Sequence, residues 1–208
     1  MKRARPYNRE VALDAAVNLF WTKGYHATSL KDLEAALQMK PGSIYAAFSS
    51  KQALYLEALE RYFEKSRNGF RQEIESVASP LDGLSDYLVQ LARTRSQEPQ
   101  GQACMLVRTL LDTTSTDAVI AEKANAYLEQ IQTEFAAAFD RAREIGEIAA
   151  NADSRRLAHR YQASINALRI ELHRGFDQAE ITVLAQDMVD ELQRLRVSPA
   201  AAERETLA

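Results

Sequence analysis

Apolar positions recur along this chain with helical spacing almost from end to end. Residues 9–23 place Ala12, Ala15, Ala16, Leu19 and Phe20 on one stripe, and Gly24 ends that helix in the usual glycine position. Trp21 follows Phe20; core packing is preferred for it over a solvent-facing role. Leu30, Leu33 and Leu37, at i, i+3 and i+7, predict a short second helix. Ser29 followed by Asp32 has the form of a capping box: the hydroxyl takes an orphan backbone N–H and the carboxylate suits the positive helix end. Met39-Lys40-Pro41-Gly42 then breaks the pattern. Proline is tolerated in the first turn of a following helix, where its missing N–H is not needed. Ile44 and Phe48 anchor that third helix at i and i+4, while Gly42 and Ser43 leave it a thin N-terminal face. Ser49 or Ser50 caps a helix beginning at Lys51.

The helix from Lys51 is long. Tyr55, Ala58, Leu59, Tyr62 and Phe63 form its stripe, continued by Phe70 and Ile74. It links the first module to the rest and is shaped to act as a lever. Ser79-Pro80 with Asp82 starts the next helix, with Leu84, Leu88, Leu91 and Ala92 inward. Residues 98–101 read as a loop and 104–111 as a short helix. Thr116 or Asp117 opens a helix ending near Gly146, with Ile120, Ala124, Tyr127, Leu128, Ile131, Phe135 and Phe139 on one face. Residues 151–153 form a turn and cap, and two helices follow over 154–174 and 178–197. Seven Gly and five Pro in 208 residues are few, so the expected class is all-α. The expected division is a three-helix helix-turn-helix domain over 1–52, a larger helical domain over 53–197 and a loose tail over 198–208.

Charge sharpens this picture. Up to Lys51 there are eight Lys or Arg against four Asp or Glu, a net of +4, while the chain carries −3, leaving −7 on the remainder. A basic end on an acidic body points polyanions to one end. Lys2-Arg3-Ala4-Arg5 reads either as an arm reaching phosphates or a minor groove, or as a merely soluble terminus. No apolar run reaches membrane-span length, and no apolar segment follows the charged start as in a signal peptide. A single cysteine excludes an intrachain disulfide. The expectation is a cytoplasmic protein that meets no membrane and carries no cofactor.

Two short helices meeting at a tight turn, the second slim at its start, is how a chain places a helix in the DNA major groove. Ser43 can donate to or accept from a base edge; Ala46 and Ala47 can only pack, for instance on a thymine methyl. Lys40, Tyr45 and Lys51 suit phosphates, as do Thr28 and the N–H groups at helix starts. The plainer reading of the same segment is a helical hairpin with a solvated rim.

These residues resemble the TetR family of bacterial transcription regulators. The likeness runs from Arg9 to about Leu59 and rests on LFWTKGYHATSL and KPGSIYAAFSSKQALYLEAL, which fit G-Y-x-x-T-S-L, G-S-I-Y-x-x-F and S-K-x-x-L. The resemblance assigns DNA contacts to Thr28, Lys40, Pro41, Gly42, Ser43, Tyr45 and Lys51. Many members carry histidine where this chain has Ala47, so one common phosphate contact is missing; the Y-A-A-F form resembles a subgroup. The resemblance further implies a homodimeric repressor, released from a palindromic operator in double-stranded DNA when a small-molecule effector binds its larger domain. The alternative is an architectural DNA-binding protein of the same fold without an effector.

The last two helices are the expected dimer contact. Ile181, Leu184, Ala185, Met188, Val189, Leu192 and Leu195 make a broad stripe, which either buries itself against a twofold copy or packs inside its own domain. Dimerisation sets two reading helices about 34–36 Å apart, or a longer multiple. Phe63, Tyr87, Met105, Tyr127, Tyr161 and Asn166, with Phe70 and Phe135, suit an effector cavity and equally suit plain core. Cys104 sits near a helix start, where a thiol tends to the reactive thiolate. The sequence around it resembles electrophile-sensing relatives, although Gln102 and Ala103 separate it from Gly101. The competing reading is a buried, inert thiol. His159 and His173 lie fourteen residues apart, about 21 Å along one helix, too far for one metal ion. No motif for hydrolase, metalloprotease, phosphate-loop or redox chemistry occurs, so catalysis is not expected.

Overall fold

A computed structural model describes residues 8–94 and 103–197. The arm at residues 2–5, the loop at 98–101 and the tail at 198–208 lie outside the described residues. Nine helices occur among those described: α1 (Arg9–Lys23), α2 (Leu30–Leu37), α3 (Pro41–Phe48), α4 (Lys51–Glu75), α5 (Pro80–Arg93), α6 (Met105–Thr113), α7 (Ala118–Glu144), α8 (Ser154–Arg174) and α9 (Gln178–Gln193). They fall into two compact units, one of Met1–Lys65 with Cys104–Leu128 and one of Ser66–Ala103 with Glu129–Ala208.

The first unit holds α1, α2, α3, the first part of α4, α6 and the start of α7. Asn8 caps α1 by accepting from the Glu10 and Val11 amides. Ala12, Ala16 and Phe20 are buried as the stripe requires, while Leu13 and Trp21 join them and Ala15 and Leu19 stay half-buried. Trp21 packs edge-on against Tyr62, and Phe20 against Tyr55. Helix α6 is held by a row of polar bonds. The Tyr55 hydroxyl meets Thr109 Oγ1 at 2.6 Å, and the Arg108 guanidinium donates to the Trp21 and Thr22 carbonyls at 2.9 and 3.0 Å. His26 Nε2 meets Thr116 Oγ1 at 2.7 Å, and Gln52 donates to Asp117. Gly24 has φ 82, and a Cβ there would lie 3.1 Å from Asp112 Oδ2. Only glycine accepts that backbone without strain.

The second unit is built on a core from the end of α4, α5, the rest of α7, α8 and α9, with Phe70, Leu84, Leu88, Phe135, Phe139, Tyr161 and Leu168 among its buried members. Ser79 caps α5 through the Asp82 amide with Pro80 in the first turn, and Asp153 caps α8 through the Arg156 amide. The Tyr161 hydroxyl donates to the Leu84 carbonyl at 2.7 Å. One expectation is corrected: the last helix stops at Gln193, not at residue 197. The chain turns at Arg194, Val197 N–H donates to the Glu147 carbonyl at 2.9 Å, and Arg196 pairs with Asp82 and Glu147. Leaving the helix brings Arg196 and the Val197 N–H onto Asp82 and Glu147.

Candidate nucleic-acid interface

The capping box is formed. Ser29 Oγ accepts from the Asp32 amide at 3.2 Å, and Asp32 Oδ2 accepts from the Ser29 amide at 2.7 Å. Lys23 at the end of α1 reaches the same carboxylate at 2.6 Å. The Lys23 ammonium and the two Ser29 bonds hold the Asp32 carboxyl well below the usual carboxylate range. The end of α1 and the start of α2 are thus fastened together.

The turn that follows is sharp. Gln38 closes α2 in the left-handed region at φ 53 and donates its N–H to the Glu34 carbonyl. Lys40 is extended, its carbonyl accepts from the Ser43 and Ile44 amides, and Pro41 occupies the first turn of α3. Ile44 and Phe48 are buried and fix α3 to the unit. Lys40, Gly42, Ser43, Tyr45 and Ala46 are exposed, Tyr45 by 42%, and Pro41 and Ala47 are half-buried. The outward face of α3 therefore carries small or hydrogen-bonding groups with one cation and one phenol beside them. Ser50 caps α4 through the Ala53 amide at 3.0 Å.

Lys51 opens α4, half-buried, with Nζ 4.7 Å from the Tyr25 ring centroid. Burial pushes the ammonium below the usual lysine range, and the Asp32 carboxylate partly opposes that. Tyr25 in turn packs against Tyr55, with ring centroids 4.8 Å apart. The sequence contains Tyr25 in its G-Y pair but gives it no partner; the pairing depends on tertiary placement, which periodicity does not carry.

Thr28, assigned a DNA contact by the resemblance, sits at the turn between α1 and α2. It is 1% exposed, and its hydroxyl donates to the Gly24 carbonyl at 2.6 Å. A threonine hydroxyl has one proton, and here that proton locks the turn between α1 and α2.

The residues expected to line an effector cavity fall into different units. Phe63, Met105 and Tyr127 are buried in the first, where Phe63 and Tyr127 stack with centroids 4.3 Å apart. Tyr127 Oη is buried beside the Glu60 and Glu64 carboxylates without a hydrogen bond of normal geometry. Burial first, then those carboxylates, raise the phenol above its usual range. Cys104 is half-buried at the N-cap of α6, and the Tyr62 hydroxyl donates to Sγ at 3.7 Å. Tyr87, Tyr161 and Asn166 belong to the second unit; Tyr161 is buried, and Tyr87 and Asn166 are half-buried. Phe70 meets both Tyr87 and Phe135 edge-on there.

In the stripe of α9, Ile181, Ala185 and Leu192 are buried in the second unit's own core, and Leu184, Met188, Val189 and Leu195 pack partly against it. Val183, outside the stripe, and Ile170 on α8 are the large apolar residues these helices expose.

Comparison with known proteins agrees with this geometry. Residues 12–58 match the family described as bacterial regulatory proteins, tetR family. The chain is 27% identical over 188 residues to the HTH-type transcriptional repressor ComR of Escherichia coli K12, covering 88% of this chain and 89% of that one. It is 29% identical over 137 residues to the HTH-type transcriptional regulator UidR of the same organism, covering 65% and 66%. Among solved structures, a cysteine-substituted TetR family transcriptional regulator CifR, complexed with 26-bp double-strand operator DNA, superposes with TM-score 0.82 at 25% identity. That match covers 94% of this chain and all of the other.

Proposed function

The chain belongs to the tetR family of bacterial regulatory proteins, DNA-binding regulators of transcription, and we propose that it is a homodimeric repressor released from a palindromic operator by a small-molecule effector. The observation that carries the reading is the outward face of α3. A short helix that buries only Ile44 and Phe48 and exposes Gly42, Ser43, Tyr45 and Ala46 fits a major groove, which admits one helix. Ser43 meets base edges; Lys40, Tyr45 and Lys51 meet phosphates; Pro41 and Gly42 bring the start of α3 close to the duplex. Residues 1–52 read DNA, and residues 53–197 supply the effector and dimer functions. A protein acting on a bacterial genome works in the cytoplasm.

Dimerisation uses α8 and α9. Exposed charges of opposite sign remain on the two helices, Arg155 and Arg156 on α8 and Glu180, Asp187 and Asp190 on α9, beside the pairs Arg160–Glu191 and Arg174–Glu171 made within the chain. A twofold contact that sets α8 of one copy against α9 of the other pairs these charges. A groove of about 210 Å³ lined by Leu157, Ser164, Met188 and Leu195 gives that contact apolar depth.

The test uses purified full-length protein and duplexes from the DNA flanking its own gene, in low-salt buffer. The account expects tight binding by a dimer and weakening by some small molecule of the neighbouring pathway. A monomer indifferent to every such duplex overturns it; binding that no ligand relieves overturns the effector alone. If electrophiles release DNA from wild type and from Cys104→Ser alike, Cys104 is not the sensor.

A further inference from the structure

We propose that Tyr25 is a positioning residue for DNA binding: its ring holds the Lys51 ammonium at the start of α4 in place to meet a phosphate. The inference rests on the reading of Lys51 as a phosphate contact. Lys51 Nζ lies 4.7 Å from the Tyr25 ring centroid, inside the range where a ring face attracts an ammonium. Tyr25 is itself fixed, packed against Tyr55, which is buried and bonded to Thr109, and edge-on against His26 at 5.1 Å. The ring is therefore a rigid seat on the unit that carries α3.

Lysine is a point charge on a flexible four-carbon stem, and ordering that stem against a phosphate costs rotamer freedom. A seat that pre-selects one arrangement lowers the cost at the moment of binding. The ring face engages one side of the ammonium, and its remaining N–H groups stay available to an anion. The nearby carboxylate competes little, because Asp32 is already bonded to Lys23 and Ser29. Tyr25 acts through Lys51 in this account and contributes no charge of its own.

The experiment measures affinity and salt dependence of the full-length protein on a labelled mixed-sequence duplex, where phosphate contacts dominate. Tyr25→Phe keeps the ring face and should bind like wild type. Increasingly fluorinated phenylalanines at position 25 keep shape and packing while draining the ring's negative face. They should weaken binding stepwise, to about two- to five-fold per protomer, with the salt slope unchanged. Lys51→Ala should lower the slope by about one phosphate contact per protomer and abolish the effect of fluorination.

If Lys51→Ala leaves the slope unchanged, the reading of Lys51 falls and the inference falls with it. If Lys51→Ala lowers the slope but fluorination changes nothing, Lys51 stands and the positioning role is wrong. A loss of binding in Tyr25→Phe also overturns it, since the hydroxyl would then be the working group.

Discussion

Tyr55 and Thr109 join α4 to α6 through two buried hydroxyls, and the direction of their bond follows from counting protons. Thr109 Oγ1 lies 2.6 Å from the Met105 carbonyl and 2.6 Å from Tyr55 Oη. A carbonyl only accepts, and a threonine hydroxyl has one proton, so Thr109 donates to Met105 and Tyr55 donates to Thr109. Burial pushes the Tyr55 phenol up to about 12, so it keeps that proton throughout the neutral range. Thr109→Val preserves shape but strands a buried donor on Tyr55, at a cost of about 1–3 kcal/mol. Tyr55→Phe removes the donor and leaves Thr109 still bonded to Met105, at a cost of about 1 kcal/mol. Combining the two removes the stranded group. In the Thr109→Val background, Tyr55→Phe should therefore stabilise. Thermal unfolding followed by circular dichroism resolves this, since each kcal/mol moves Tm by about 2–4 °C in a chain of this size. Equal destabilisation by Tyr55→Phe in both backgrounds would refute the assignment.

Other substitutions probe the remaining joints. Gln38→Gly should raise Tm by relieving a left-handed backbone, a net gain of about 0.5–1 kcal/mol after glycine's own entropy cost; a lower Tm would show that the side chain holds the turn. Asp32 is held low by Lys23 and Ser29, so its stabilisation is present above the ordinary carboxylate range and is lost as pH falls through its folded value. Asp32→Asn should thus melt below wild type at neutral pH, with the gap closing in acid below about pH 4; a pH-independent gap contradicts the linkage. Arg108→Met strips the Trp21 and Thr22 carbonyls of a charged donor, and should cost about 1–2 kcal/mol after allowance for its partial exposure. Faster amide exchange at the end of α1 is the specific readout; unchanged exchange there argues against the clamp.

Local rules make much of this fold legible in the sequence. Ser29 with Asp32, Ser79 with Pro80, and Asp153 are caps whose partners lie within a turn, and each caps as the spacing demands, while Pro41 opens α3 in its first turn. Pairings distant in sequence were not legible. The Arg108 bonds to α1 and the Tyr25 seat for Lys51 join residues that no period connects. Thr28 is a further case: a threonine beside a helix start suits a phosphate, and its bond to the Gly24 carbonyl four residues back was not legible in the spacing. The α9 stripe comes from periodicity, and a period marks an apolar face without saying what covers it. Here its own core covers Ile181, Ala185 and Leu192. The cavity candidates rest on a weaker signal, because aromatic residues signal burial before they signal a ligand.

Groove-resolved footprinting on DNA flanking the gene tests the central claim most directly. Guanine N7 methylation reports the major groove alone. If α3 and its twofold copy both read duplex, bound protein should protect two symmetric patches with centres about one helical turn, or a whole multiple, apart. Both patches should fade together in a Tyr45→Ala variant. A single patch, or a bound complex with every major-groove N7 still reactive, would contradict the account.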